Sequence, residues 1–365
     1  MASLADVRTV EIESLAEFDE RTAGATSMAG WRVQGVDLRE RSSVLRRLET
    51  RGALFLGVAF ADGDEDDLRD RGALVFPSLP DLPFDPYRAR LYSPAELYDG
   101  LQASYGGTAD ARIYAWSRAR DGDLVRTLAT ALHDHAVDDA LAELVRGRRC
   151  VGVMGGHDLD RGSTGYREAA LLGHALAGAG LTVTTGGGPG AMEAANLGAH
   201  LAGHVVAVVD EALAVLAAVP SFRPSVDAWA RAAFAVRERW SSDTVSVGVP
   251  TWFYGHEPPN AFPSHVAKYF ANAIREDVLL RLSNAGTVFL PGRGGTVQEV
   301  FQDACENYYA ADGQAAPMVL VGRDFWTTEL PAWPLLHTLA DGRDMPVRLV
   351  DSPDDVLTAL GLTAP

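Results

Sequence analysis

The sequence predicts an α/β protein built on a doubly wound, mainly parallel sheet, with an additional α/β region ahead of it. Three observations carry that expectation. From Cys150 onward, short apolar runs alternate with helical patterns, and glycines cluster at the ends of those runs. Near residue 150 the chain also changes character, from an irregular, acidic, proline-containing half to this regular alternation. We therefore expect an accessory region over 1–147 and a nucleotide-binding catalytic region over 148–365.

The predicted strands of the second region are 150–155 (CVGVMG), 181–185 (LTVTT), 204–209 (HVVAVV), 245–252 (VSVGVPTW), 286–290 (GTVFL), 317–321 (PMVLV) and 347–350 (VRLV). Helical patterns separate most of them, so the strands run parallel, and ligands in such folds bind beyond the carboxyl ends of the strands. Residues 264–282 read as a helix in which Val266, Phe270, Ile274, Val278 and Leu282 form a buried i, i+4 row. Between the third and fourth predicted strands, 216–243 carries Arg223, Arg231, Arg237 and Arg239 with Trp229 and Trp240; it is a cover over the pocket, a subunit interface or a solvated helix.

In the first region, LETRGALFLG from Leu48 and LRDRGALVFP from Leu68 match at an offset of twenty. Each reads as a helix end, a glycine turn and a strand. Two copies are too few for a solenoid and predict a pair of neighbouring βα units. Residues 81–87 (DLPFDPY) are a loop, and 123–146 form one or two helices with His133 and His135 on the surface.

Composition bounds the function. With 365 residues, 47% of them hydrophobic, the chain can bury a substantial core. Lys and Arg number 32 against 49 Asp and Glu, a net charge of −17, which repels a nucleic-acid backbone but leaves room for a small phosphorylated ligand held by local amides and a few arginines. Cys150 and Cys305 allow at most one disulfide and no cysteine-rich zinc site. The N-terminal stretch lacks the pattern of a secretory signal and no apolar run reaches bilayer length, so a cytoplasmic protein with no membrane partner is expected.

Three motifs carry candidate chemistry. Thr185-Gly186-Gly187-Gly188-Pro189-Gly190-Ala191-Met192-Glu193 follows the second strand. It is either a cradle whose backbone amides approach a phosphate or ribose, or a tight strand-to-helix turn with nothing bound. Leu290-Pro291-Gly292-Arg293-Gly294-Gly295-Thr296-Val297-Gln298-Glu299 is again a strand end, a glycine loop and a helix start. Here the free amides and the Thr296 hydroxyl can hold a phosphate with the Glu299 carboxylate beside it; alternatively Thr296-x-x-Glu299 is a capping box. The third is Arg275, which either reaches into the pocket or pairs on the surface with Glu276 or Asp277. After the first strand, Gly155, Gly156 and His157 form a ligand-facing loop, while His157, Asp158 and Asp160 lack the second cluster that a metal site needs. His256, Glu257 and Asn260 are candidates for the pocket rim.

Together these motifs resemble the LONELY GUY family, formerly labelled lysine decarboxylases. TGGGPGAMEAAN at 185–196 is similar to one family signature and PGRGGTVQE at 291–299 to the other, PGGxGTxxE, about a hundred residues apart; the resemblance covers roughly 148–325. It implies a Rossmann-like sheet, a homodimer, and hydrolysis of a nucleoside 5'-monophosphate to free base and ribose 5-phosphate. Glu299 falls on the family's catalytic glutamate and Arg275 on its partner arginine, with the glycine loops and Arg275 holding the 5'-phosphate. Glu276 stands where the family has lysine, and Arg293 where it has glycine. The scheme calls for no metal and no cofactor; a decarboxylase would need a pyridoxal Schiff base, and Lys268, the second region's only lysine, has no cofactor motif around it. For the dimer, Trp229, Trp240, Tyr269 and Phe270 are expected on exposed helices. The reading from a different class is a non-catalytic carrier of a nucleotide or molybdenum cofactor on the same fold.

Overall fold

The computed structural model describes residues 10–119, 124–253, 257–311 and 313–362. His256 lies outside the described residues. Contact density divides the chain into two compact units: the first draws on 1–90 and 122–140, the second on 91–121 and 141–365.

In the first unit the elements alternate as β1 (Val10–Ile12), α1 (Leu15–Thr22), β2 (Trp31–Gln34), α2 (Ser42–Arg47), β3 (Leu54–Leu56), α3 (Asp64–Asp70) and β4 (Leu74–Phe76). The strands pair in parallel in the order β1-β2-β3-β4. Register aligns Ile12 with Val33, Val33 with Phe55, and Phe55 with Val75, so each rung drops one apolar side chain onto the next. Ile12, Val33 and Phe55 are wholly buried, each stabilising the unit by ~2 kcal/mol. The turns before β2, β3 and β4 stack too: Gly30, Gly52 and Gly72 have φ of 77°, 75° and 89°, where a side chain is strained. The Gly30 amide donates to the Gly52 carbonyl at 3.1 Å and the Gly52 amide to the Gly72 carbonyl at 3.0 Å. The matched pair of segments is therefore half of a four-strand parallel stack, in which β2 keeps only the glycines of its turns.

The expected single cut at 147/148 does not describe the two units, because 91–121 is tied into the second. Tyr92 and Val266 exchange backbone hydrogen bonds of 3.1 and 2.8 Å. After α4 (Pro94–Leu97), the Tyr98 hydroxyl donates to the Pro259 carbonyl at 2.6 Å. In α5 (Ala109–Arg118), fully buried Asp110 accepts from Lys268 Nζ at 2.6 Å, Trp252 Nε1 at 2.9 Å and the Tyr105 hydroxyl at 2.7 Å. Lys268, the chain's only lysine, is thus locked in the core. Next comes α6 (Leu124–Val145), within the predicted 123–146; His133 on it is buried against the Phe84 ring at 5.1 Å rather than at the surface, and burial lowers its pKa.

The second unit is a Rossmann-like doubly wound fold. Its elements are β5 (Cys150–Met154), α7 (Thr164–Gly178), β6 (Thr182–Thr185), α8 (Ala191–His200), α9 (Ala207–Leu216), α10 (Val226–Arg239), β7 (Val247–Gly248), β8 (His265–Val266), α11 (Asn272–Leu282), β9 (Thr287–Phe289), α12 (Gly294–Tyr309), β10 (Met318–Val321), α13 (Ala332–Ala340), β11 (Val347–Val350) and α14 (Val356–Ala359). Seven parallel strands stand in the order β11-β10-β9-β5-β6-β7-β8. The chain direction across the sheet reverses between β5 and β9, which opens a crevice at their carboxyl ends.

Three expectations fail here. The run 204–209 is not a strand: Val205 is 74% exposed, and Val209, Ala212, Leu213 and Leu216 are buried at helical spacing in α9. The segment 264–282 is not one helix but β8 followed by α11, with Ile274 45% exposed. In α11 the buried residues are Asn272 and Glu276 in the first turns and Val278, Leu279 and Leu280 in the second half, so only Val278 of the expected row is buried on this helix. The aromatics offered for a dimer interface are also misplaced: Trp229, Trp240 and Tyr269 are buried and Phe270 is half-buried, its ring tilted against Trp252 with centroids 4.7 Å apart. Among the described residues no helix is long and apolar enough to cross a membrane.

On α12, Asp303 is buried among Thr287, Glu306 and Asn307, and burial above all raises its carboxyl to about 7. Its unfolded value is about 3.9, so the folded state holds a proton that the unfolded chain releases. The stability this provides is complete below about pH 4 and is lost as pH rises through about 7. Asp303→Asn should flatten that dependence and leave the variant more stable than wild type at pH 8, as thermal melts at pH 5 and 8 would measure.

Candidate functional site

A cavity of about 690 Å³ fills the crevice, within the ~300–1,000 Å³ range of ligand pockets. Gly155–Leu159 after β5 form one wall, Pro291–Thr296 after β9 a second, and Arg275 and Glu276 of α11 with Gln298 and Glu299 of α12 the floor; Met192, Glu257 and Phe325 complete it.

The first wall is glycine for reasons of space. The Gly156 amide donates to the Pro291 carbonyl and the Gly156 carbonyl accepts from the Ala191 amide, both at 3.0 Å, so this strand end is clamped between β9 and α8. A Cβ on Gly155 would lie 2.8 Å from that of Ala191. His157 is exposed at the mouth, with Nε2 3.0 Å from Asp158 and Nδ1 3.8 Å from Glu257.

The second wall is a helix start with its amides open. The first amides of a helix have no intrahelical partner, and α12 begins at Gly294 with no side-chain cap at Arg293. A Cβ on Gly294 or Gly295 would meet nothing within 4 Å. Thr296 is the third helical residue, not the cap, so the capping-box reading of Thr296 and Glu299 does not hold. The approach of its hydroxyl demands glycine at 292, where a Cβ would lie 2.1 Å from Oγ1. Arg293 swings outward to Glu329 at 3.3 Å, and both are exposed.

Glu299 turns inward instead, buried, with Oε1 3.4 Å from Arg275 Nη1. Burial raises its pKa; the Arg275 guanidinium lowers it, and the neighbouring Glu276 carboxylate raises it further. Arg275 is no surface residue: its Nε donates to the Val249 carbonyl at 2.7 Å and Nη2 to the Gly186 carbonyl at 3.3 Å. With one contact to Glu299, three of its five donors are engaged within the protein.

The triple-glycine loop is placed differently from the cradle reading. Gly186, Gly187, Gly188 and Gly190 are buried, and a Cβ on Gly186 would lie 2.3 Å from Arg275 Nη2 and 2.7 Å from Met192 Sδ. The Gly187 carbonyl accepts from the Asn260 amide at 2.8 Å, and Asn260 Nδ2 donates to the Gly188 carbonyl and to Asn196, both at 3.1 Å. Thr185 Oγ1 donates to Asn196 at 2.7 Å and accepts from the Gly187 amide at 3.0 Å. Asn260 is therefore not a rim group but the clamp that holds this loop. Gly190, with φ 71°, passes under the first wall, where a Cβ would strike the Gly156 carbonyl at 2.5 Å. Only Met192 of this motif lines the main cavity.

Glu193 pairs with Arg161 instead, both wholly buried, and the Arg161 guanidinium stacks 4.6 Å from the Trp229 ring centroid. Glu193 and Gly190 line a smaller adjoining cavity of about 90 Å³. Arg161 and Phe325 are not visible in the sequence, since Arg161 carries no motif by itself and Phe325 follows β10, while Gln298 lies inside the second motif without a role assigned to it. Among the described residues no group of three or more His, Cys, Asp or Glu could hold a metal ion.

No family model and no curated protein matches this chain. Among solved structures it is similar to the molybdenum cofactor binding protein from the phototrophic bacterium Rippkaea orientalis, with 20% identity, coverage of 59% of this chain and 96% of that one, and a TM-score of 0.37. A likeness of that size says nothing about the site.

Proposed function

We propose that the protein hydrolyses the N-glycosidic bond of a nucleoside 5'-monophosphate, releasing free base and ribose 5-phosphate. The observation that carries this reading is the buried Arg275–Glu299 contact on the cavity floor, one helical turn from the open amides of Gly294 and Gly295. The amides and the Thr296 hydroxyl receive the 5'-phosphate, which the positive end of α12 favours. That anchor brings the anomeric carbon over Glu299. As the bond to the base weakens, positive charge develops on the sugar, and a fixed carboxylate beside it stabilises it and orients the attacking water. Water adds its oxygen to the anomeric carbon, the bond electrons leave with the base, and the base takes up a proton. Arg275, with most of its donors committed, orients Glu299 rather than gripping the phosphate.

The test is incubation of the purified protein with AMP, GMP, CMP, UMP and an isoprenylated AMP, following base and ribose 5-phosphate by chromatography. Release from at least one is expected. Tight binding of nucleotide without release from all five would make the protein a carrier instead.

A further inference from the structure

Two adjacent pairs of side chains face each other across the cavity floor. Arg275 and Glu276 come from α11, Gln298 and Glu299 from α12, and they make two cross-helix contacts, Arg275 to Glu299 and Gln298 Nε2 to Glu276 Oε2. All four line the cavity. Glu276 is only 5% exposed, and its Oε1 also accepts from Asn272 Nδ2 at 2.7 Å, one turn back on its own helix. A carboxylate offers about four acceptor positions, so the two amide donors fix its orientation while leaving about two positions for a ligand.

The chemistry of that ligand group follows from charge. Two carboxylates against one guanidinium repel a phosphate from this floor and favour hydrogen-bond donors. On a nucleotide held by its phosphate at the start of α12, with its anomeric carbon at Glu299, the donors nearest that carbon are the sugar hydroxyls. A carboxylate is the acceptor that dinucleotide-binding sheets use for the ribose 2'-hydroxyl. We infer that Glu276 accepts from the sugar's 2',3'-diol and makes the site selective for ribonucleotides over 2'-deoxyribonucleotides, a reading that rests on the nucleotide function proposed above.

Binding of AMP and 2'-deoxy-AMP by calorimetry, together with base release from each, tests it. Losing one hydroxyl leaves a buried acceptor without its partner, so wild type should prefer AMP by at least about 10-fold. Glu276→Ala should bring the ratio to within about 3-fold, because the acceptor is then gone for both. A loss of structure alone would weaken both nucleotides equally and leave the ratio unchanged. Should the alanine variant fail to fold, Glu276→Gln, which retains one acceptor oxygen, is expected at an intermediate ratio. Equal handling of the two nucleotides by wild type overturns the inference while leaving the nucleotide function intact, as does a preference that survives both substitutions. Absence of binding and release with either nucleotide and with the wider panel overturns the nucleotide function, and this inference with it.

Discussion

On the proposed hydrolysis, Glu299→Gln should lower the rate of base release by about 10³-fold while nucleotide binding stays within a few-fold of wild type. The substitution keeps the shape of the side chain, removes its charge and leaves one acceptor oxygen. The proposed phosphate anchor at Gly294, Gly295 and Thr296 is untouched, so ground-state binding should persist; what the proposed mechanism loses is the negative charge facing the developing cation, and a preorganised group of this kind is worth ~10²–10³ in rate. Single-turnover base release alongside equilibrium binding separates the two effects, and unchanged turnover removes Glu299 from the mechanism. The pH profile adds a sign. Burial first, and Glu276 second, push the Glu299 carboxyl up against the opposing pull of Arg275. The proposed mechanism uses the ionised form, so wild-type activity should fall on the acid side at a pH above the ordinary glutamate value of about 4.3.

Asp110→Ala should destabilise the protein by ~3–5 kcal/mol, the cost of leaving one member of a buried ion pair without its partner. Asp110 and Lys268 are both in the core, and Asp110 also holds Trp252 and Tyr105. Its removal leaves an ammonium in a place that already lowers the lysine pKa through burial. Lys268 lies 5.0 Å from the Trp252 ring centroid, a contact too weak to compensate. The paired replacement Asp110→Leu with Lys268→Met should recover most of the loss, since apolar groups of similar volume replace such pairs at little cost. Chemical denaturation of the single and double variants measures the difference. The same burial removes Lys268 as a Schiff-base nucleophile.

Much of the second unit was legible because its signals are local. Glycines at strand ends, apolar runs of strand length and the helix start at Gly294 obey short-range steric rules, and six of the seven expected strands formed. The run HVVAVV misled because β-branched residues suit a strand, yet the residues that follow it bury at helical spacing. In the first unit, β3 and β4 share an extended residue pattern, while β2 shares only the glycines that turn into and out of the rung, Gly30 and Gly35.

The site divides in the same way. Thr296 and Glu299 lie three residues apart on one helix, so their neighbourhood was readable from spacing alone, as was the glycine wall after β5. The partners of Glu299 were another matter. Arg275, Glu276 and Gln298 meet only because α11 and α12 flank β9 and turn their polar faces into one crevice. Whether Glu193 and the glycines 186–188 touch a ligand depended likewise on what covers them: Arg161 claims the carboxylate, and Arg275, Met192 and Asn260 close over the loop. Local sequence determines which backbone conformations and caps are accessible, since those are settled over a few bonds. Which charges end up buried together is decided by the packing of elements far apart in the chain, where desolvation makes each partner's identity count.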